Sequence, residues 1–241
     1  MLAARPSRTL WAVFPDVVIL APETAVKGHS AYAHAKAGDV EAAYSLVAEV
    51  LGDGVVQVKI PRIDDRPTLV AAHAVEREGI NRIPTALAGA LAARLGLPAE
   101  DRIVQINTVT HTGASGWHRL AFPALFDGPV ERGRVYVLVD DFVGQGGTLA
   151  NLRGFVETRG GQCLGAVTLT GKAYSARLAL DPATLNGLRH KHGRSLEDWW
   201  TAQFGYGFDC LTESEARYLA RAEDAELVRD RIAAARQAVD A

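Results

Sequence analysis

The chain has 241 residues, 48% of them hydrophobic and 22% charged, enough apolar surface for one sizeable core and too much for a disordered chain. Lys and Arg number 26 against 28 Asp and Glu, a formal net charge of -2, which excludes the global basic field that draws a protein onto nucleic acid regardless of sequence. Two cysteines, Cys163 and Cys210, are too few and too far apart for a disulfide framework or a metal cluster, and they suit a reducing compartment as packing residues.

The opening segment MLAARPSRTLWAVFPDVVILAP has two arginines but is broken by Pro6, Pro15 and Asp16. No apolar run approaches the length of a membrane span, so a cytoplasmic protein with no membrane partner is expected. Residues 29–51, HSAYAHAKAGDVEAAYSLVAEVL, carry apolar positions at helical spacing on both sides of Gly38 and Asp39, with Asp39 placed to cap the second helix. The spacing predicts a helical hairpin. It is like one tetratricopeptide unit, but a single unit cannot bury its own face and no second copy follows, so it reads as a local helical cover.

Short apolar runs then alternate with helices. VVQVKI (55–60) and TLVAAHA (68–74) read as strands, and RIPTALAGALAARLGL (82–97) as a helix with Pro84 in its first turn and Gly96 at its end. RIVQINT (102–108), RVYVLVDD (134–141) and CLGAVTLTG (163–171) read as further strands, with a helix from about Gly147 to Thr158. Near-continuous apolar strands alternating with helices imply an α/β fold, a parallel sheet flanked by helices. Beyond Lys172 the pattern is helical, with N-caps predicted at Ser195 and Thr212. The expected organisation is an N-terminal segment with a helical hairpin (1–52), an α/β core (53–172) and a C-terminal helical part (173–241).

Residues 137–149, VLVDDFVGQGGTL, run an apolar strand into two aspartates and then into a glycine-rich loop that enters a helix. In an open parallel sheet, ligands bind beyond the carboxyl ends of the strands. A glycine-rich turn entering a helix gathers backbone N–H groups in one small space, where the helix dipole favours an anion. Asp140 and Asp141 would repel that anion, and as paired acceptors they suit the vicinal hydroxyls of a ribose, directly or through a divalent cation. A phosphate on the loop and ribose hydroxyls on the carboxylates describe a 5-phosphoribosyl group.

This stretch resembles the phosphoribosyl-diphosphate signature of type I phosphoribosyltransferases. The resemblance implies that Asp140 and Asp141 hold the ribose hydroxyls and, indirectly, Mg²⁺, while Gly144, Gln145, Gly146, Gly147 and Thr148 cradle the 5-phosphate. In weaker form it extends over residues 66–172: HTGASGWHRLAFPALFDGPVERGRVYVLVDD is similar to the family's flexible loop and following strands, especially in its DNA-uptake-associated branch. The family's diphosphate loop falls on HAVEREGIN (73–81), so His73, Ala74, Arg77, Arg82 and His118 are diphosphate candidates, and Arg119 joins the acidic pair in the catalytic set. His111 and His118 bracket the flexible segment as acid, base or diphosphate contacts, and Trp117 either stacks on a base or anchors the loop. Gly144-Gln145 departs from the hydroxyl residues usual there. Gly144 also stands where the 6-oxopurine enzymes carry an acidic residue, which argues against hypoxanthine or guanine salvage. The DNA-uptake branch's four-cysteine module is absent from the sequence.

The implied activity is Mg²⁺-dependent displacement of diphosphate from the anomeric carbon of phosphoribosyl diphosphate by an unknown, nucleobase-like acceptor. A homodimer is compatible with it, and general nucleic-acid binding is not expected. The alternatives are a non-catalytic phosphoribosyl-ligand sensor or regulator of the same fold and, more remotely, an interaction module on the terminal helices. GAVTLTGK (165–172) misses the P-loop spacing and GASG around Ser115 misses a nucleophile elbow. RHKHG (189–193) reads as basic groups at a helix C-terminus. The aromatic-rich span 195–223 reads as packing and as a hood over the sheet.

Overall fold

A computed structural model of the protein describes residues 5–52, 62–76, 79–107 and 115–238. An N-terminal strap, residues 5–15, precedes a short strand, β1 (Val18–Ile19), and the helices α1 (Glu23–Lys27), α2 (Tyr32–Ala37) and α3 (Val40–Leu51). The predicted helical hairpin is present as α2 and α3. Gly38 closes α2 at φ 115, and the Asp39 side chain accepts the Ala42 N–H to cap α3.

β2 (Thr68–Ala71) leads into a β-hairpin, β3 (Ala74–Glu76) and β4 (Gly79–Asn81), and then α4 (Ile83–Leu95), with Pro84 in the first turn and Gly96 as a left-handed cap. Next come β5 (Ala99–Glu100), β6 (Val104–Gln105), α5 (Gly116–Ala121) and β7 (Phe126–Asp127). The long strands β8 (Val135–Val143) and β9 (Gln162–Gly171) flank α6 (Gly147–Thr158). α7 (Pro182–Phe204), interrupted at Gly193, α8 (Glu213–Ala220) and α9 (Ala225–Gln237) follow.

Five strands of the described residues form one sheet in the order β1-β9-β8-β2-β5, and every neighbouring pair is parallel. Alternation along the strands feeds two cores. Leu69, Ala71, Val137 and Val139 pack against α3 and α4, while Val70, Tyr136 and Leu138 pack against α6 and the strap residues Trp11 and Phe14. A third core, with Trp200, Phe204, Phe208 and Leu211, joins the C-terminal helices to Leu120 and Ala121 of α5. From β2 the chain crosses through α4 to β5; from β8 it crosses through α6 to β9, on the other side. The carboxyl ends of β2 and β8 therefore flank the point where the winding direction reverses, which is where such sheets open a crevice.

The structure differs from several sequence expectations. RIVQINT does not join the main sheet: Val104–Gln105 pairs antiparallel with β7, Gln105 N–H donates to the His73 carbonyl and Ile106 N–H to that of Leu125. The edge position beside β2 belongs to Ala99–Glu100 instead. TLVAAHA ends as a strand at Ala71, and Ala74 begins the hairpin. The sheet draws its other edge strand, β1, from the N-terminal segment. α7 begins upstream of the expected cap, at Pro182 with Asp181 as its N-cap accepting the Ala183 N–H, and Ser195 lies two residues past the interruption at Gly193. Thr212 caps α8 as predicted, with Glu215 completing a capping box. VVQVKI lies outside the described residues. None of the described helices is long and apolar enough to cross a membrane.

Candidate functional site

A cavity of about 160 Å³ opens at the crevice, and Asp140, Asp141 and residues 144–149 line it together with Arg119, Lys36 and Asn81. The two aspartates are adjacent on β8 and more than nine-tenths buried, so their environment must settle their charges. Asp141 N–H donates to Asp140 Oδ1 at 2.8 Å, and Lys36 Nζ lies 3.2 Å from Asp141 Oδ2. Burial, followed by the charge of Asp141, pushes the Asp140 carboxyl well above the ordinary range. Burial acts on Asp141 too, but the Lys36 charge and hydrogen bonds from Asp140, Lys36 and Asn81 outweigh it and leave that carboxyl below its ordinary value. The two carboxyls are thus pushed in opposite directions, Asp140 toward its protonated form and Asp141 toward its ionised form.

The glycine loop is built for close approach. Gly146, at φ 80, has Leu178 Cδ2 only 2.4 Å from where a Cβ would lie, which excludes a side chain on both conformational and steric grounds. Thr212 Oγ1 donates to the Gln145 carbonyl at 2.6 Å and ties the loop to the start of α8. The Gln145 side chain lines the cavity, and both its amide nitrogen and its oxygen are buried with no hydrogen-bond partner among the described residues. Orphaned polar atoms of this kind are rare in native proteins and point to an absent ligand or water.

Behind the loop, Arg8 of the strap forms a two-pronged ion pair with Glu215, both contacts 2.9 Å, and donates to the Cys210 carbonyl at 3.0 Å and the Gly147 carbonyl at 3.4 Å. Its Nε also donates to Asn151 Oδ1. One guanidinium thereby joins the strap, α6 and α8. Burial works against the charge, but Glu215 more than compensates and holds Arg8 above the usual guanidinium range.

Of the residues singled out from the sequence, Asp140, Asp141, Arg119, Gly144, Gln145, Gly146, Gly147 and Thr148 come together on one cavity wall. His73, Arg82 and His118 are not on that wall. His73 Nδ1 sits 3.3 Å from Thr85 Oγ1, Arg82 N–H donates to the Ala35 carbonyl, and the His118 ring packs on Phe122 at 4.7 Å. Burial, followed by Arg82, pushes the His73 imidazole down; burial, followed by Arg119, does the same to His118. Ala74 pairs with Asn81 in the hairpin, and Arg77 and His111 lie outside the described residues. Trp117 packs edge-on against Tyr218 at 5.0 Å, which matches the anchoring role. The basic cluster at 189–193 is committed to packing, with Arg189 on Glu197, Lys191 on the Ala220 carbonyl and His192 on the Leu219 carbonyl.

Lys36, Asn81, Arg8 and the second role of Glu215 escaped the sequence. Lys36 stood in a helix read only as cover, and Arg8 in a segment without periodicity. Thr212 was expected as a cap, but nothing local announces that the Glu215 carboxylate pairs with a residue 207 positions earlier.

Fold and site define an α/β protein with a parallel sheet flanked by helices, carrying a buried acidic pair and a glycine-loop helix entry on one cavity at its switch point. No family model matches the chain. It is 43% identical to Protein TraN of Escherichia coli over 234 residues, which is 97% of this chain and 52% of that protein. It is also 37% identical to an uncharacterized protein of Haemophilus influenzae over 145 residues, 59% of this chain and 32% of that protein. The chain thus spans about half the length of the first of these relatives and a third of the second.

Proposed function

We propose that the protein is a phosphoribosyltransferase of the type I class, taking phosphoribosyl diphosphate and a nucleobase-like acceptor. The observation that carries this reading is the meeting, on one cavity, of the buried Asp140–Asp141 pair, the 144–148 loop at the start of α6, and Arg119. The carboxylates accept the ribose hydroxyls, and the loop N–H groups and the Gln145 amide receive the 5-phosphate. With both ends of the phosphoribosyl group fixed, the anomeric carbon is presented to an acceptor in one orientation, and positioning is the protein's main contribution.

Among the described residues, no three His, Cys, Asp or Glu side chains gather as a metal cage. The paired carboxyl groups of Asp140 and Asp141 are the oxygen donors that would hold a magnesium ion here, and such an ion would supply charge to offset the leaving diphosphate. A cytoplasmic location goes with this reading.

A second reading, a phosphoribosyl-ligand sensor of the same fold, draws on a different observation. No histidine is among the described residues lining the cavity, and its carboxylates are already engaged with Lys36, Arg8 and each other. Calorimetric titration of phosphoribosyl diphosphate, with and without Mg²⁺, tests the common core of both readings. Magnesium-dependent binding by the native chain that disappears in Asp140→Asn with Asp141→Asn is expected; no binding by the native chain overturns both. Release of diphosphate when a panel of bases is added then selects the transferase, and binding without turnover selects the sensor.

A further inference from the structure

Gln105, at the end of β6, lines the same cavity and is only 3% exposed, yet it has no part in the site described so far. Its side-chain amide is held in one orientation. The Asn107 carbonyl accepts a hydrogen bond at 2.6 Å from Gln105 Nε2, and because a carbonyl can only accept, the NH₂ end must face it. Oε1 is then the remaining end, and it is buried with no hydrogen-bond partner among the described residues. The support behind this orientation is itself braced. Asn107 Nδ2 donates to the Pro123 carbonyl at 2.9 Å, and Asn107 Oδ1 accepts the Leu125 N–H at 2.8 Å. Backbone bonds connect Gln105 to the acidic pair: Gln105 N–H donates to the His73 carbonyl, and Ala72 N–H to the carbonyl of Val139, the residue before Asp140. Ala72, Leu120, Pro123 and Ala124 add apolar surface to the lining.

We propose that Gln105 Oε1 accepts a hydrogen bond from an N–H of the acceptor substrate, either a ring N–H or an amino group, and so determines which acceptor is taken. This rests on the function proposed above, in which the acceptor is defined only as nucleobase-like. A buried acceptor atom without a donor is costly and rare, and a fixed one selects its partner by chemistry. An amide oxygen repels phosphate oxygens, which are acceptors too, so the ligand group it meets is neither the 5-phosphate nor the diphosphate. Apolar surface with one oriented acceptor suits an uncharged heterocycle that carries an N–H on its edge. A heterocycle of the same shape without that N–H leaves Oε1 unpaired and gains the apolar contact alone.

The test compares matched ligands within each variant, so that general damage cancels. Nucleoside 5′-monophosphates stand for the joined acceptor and phosphoribosyl group. Calorimetry compares AMP with purine riboside 5′-monophosphate, and CMP with 2-pyrimidinone riboside 5′-monophosphate; the second member of each pair has no N–H on its base. Ribose 5-phosphate is the reference without a base, and phosphoribosyl diphosphate is titrated alongside. In at least one pair the N–H-bearing member is expected to bind the native chain about tenfold more tightly, as for one hydrogen bond to a buried partner. In Gln105→Leu and Gln105→Met that preference is expected to fall below about threefold, while ribose 5-phosphate affinity changes by less than about threefold. No preference in the native chain, a preference kept in both variants, or an equal loss for ribose 5-phosphate overturns the role of Gln105 and leaves the proposed function intact. A native chain that binds none of these ligands, phosphoribosyl diphosphate included, overturns the proposed function and this inference with it. Failure of both variants to fold marks Gln105 as structural and also overturns the inference.

Discussion

A Cβ built on Gly144 would lie 2.6 Å from Nη1 of Arg119, so the guanidinium occupies the space that a side chain at this loop position would need. The obstructing atom is the far end of a flexible side chain, so Gly144→Ala should displace Arg119 rather than the backbone. Stability is expected to change by less than about 1 kcal/mol in urea denaturation. Phosphoribosyl diphosphate affinity is expected to fall about tenfold by calorimetry.

Asp140 gives a pH signature. Its carboxyl is raised by burial and by the neighbouring Asp141, so the stability linked to it is fully present below the unfolded value of about 3.9 and is lost as pH rises toward the folded value. Asp140→Asn removes that loss. The variant is expected to exceed the native chain in stability at about pH 7 and to surrender the advantage by about pH 4, as read from denaturation midpoints. Asp141 behaves in the opposite sense, because its lowered carboxyl stabilises the fold above the ordinary range and loses that effect on acidification. Asp141→Asn takes the carboxylate from a buried lysine and is expected to cost about 3 kcal/mol at neutral pH.

The same pair predicts proton release. If ribose hydroxyls donate to both carboxylates, any proton that the raised Asp140 carboxyl carries leaves on binding. The calorimetric enthalpy for phosphoribosyl diphosphate at neutral pH should then depend on the buffer's own ionisation heat. Equal enthalpies across buffers would falsify the idea that both aspartates are ionised in the complex.

Arg8 and Glu215 are 2% and 4% exposed, so removing one leaves the other's charge in the interior. Arg8→Met is expected to cost about 3–5 kcal/mol. Glu215→Gln keeps an oxygen for the Thr212 N–H and should preserve the capping box while breaking the ion pair. A double-mutant cycle is expected to give a coupling energy within about 0.5–3 kcal/mol, whereas simple additivity would mean that the two residues act independently.

At Gly154, in the middle of α6, a Cβ would meet the Ser7 carbonyl oxygen at 2.2 Å and the Arg8 Cα at 2.7 Å, both backbone. Gly154→Ala cannot be absorbed by a side-chain swing and should lift the strap at a cost of about 1–3 kcal/mol. Limited trypsin digestion is the check: cleavage after Arg8, resisted by the native chain, should become rapid in the variant.

Much of the central fold was legible because its signals are local. α6 takes the bounds its sequence predicts, α4 carries its proline in the first turn and stops before its glycine, and β8 and β9 are built on near-continuous apolar runs. The two sheet edges were not legible. Val18–Ile19 is two residues long, and Ala99–Glu100 has neither β-branched nor aromatic character, so both owe their strand state to the neighbour they pair with. The acidic pair and the loop were readable because they are contiguous. Lys36 and Arg8 were not, since each reaches the site across more than a hundred residues.

The strap has a consequence for biosynthesis. Arg5 donates to the Ala202 carbonyl, Trp11 Nε1 to that of Leu211, and Arg8 pairs with Glu215, so these strap residues are made long before the partners they bind. Until residues 202–215 emerge, the sheet and α6 can assemble, but the back of the glycine loop lacks both its guanidinium and its countercharge. The back of the glycine loop is therefore completed late, when early and late chain meet, and a nascent protein that stalls before α8 would carry the acidic pair without the Arg8–Glu215 ion pair behind the loop.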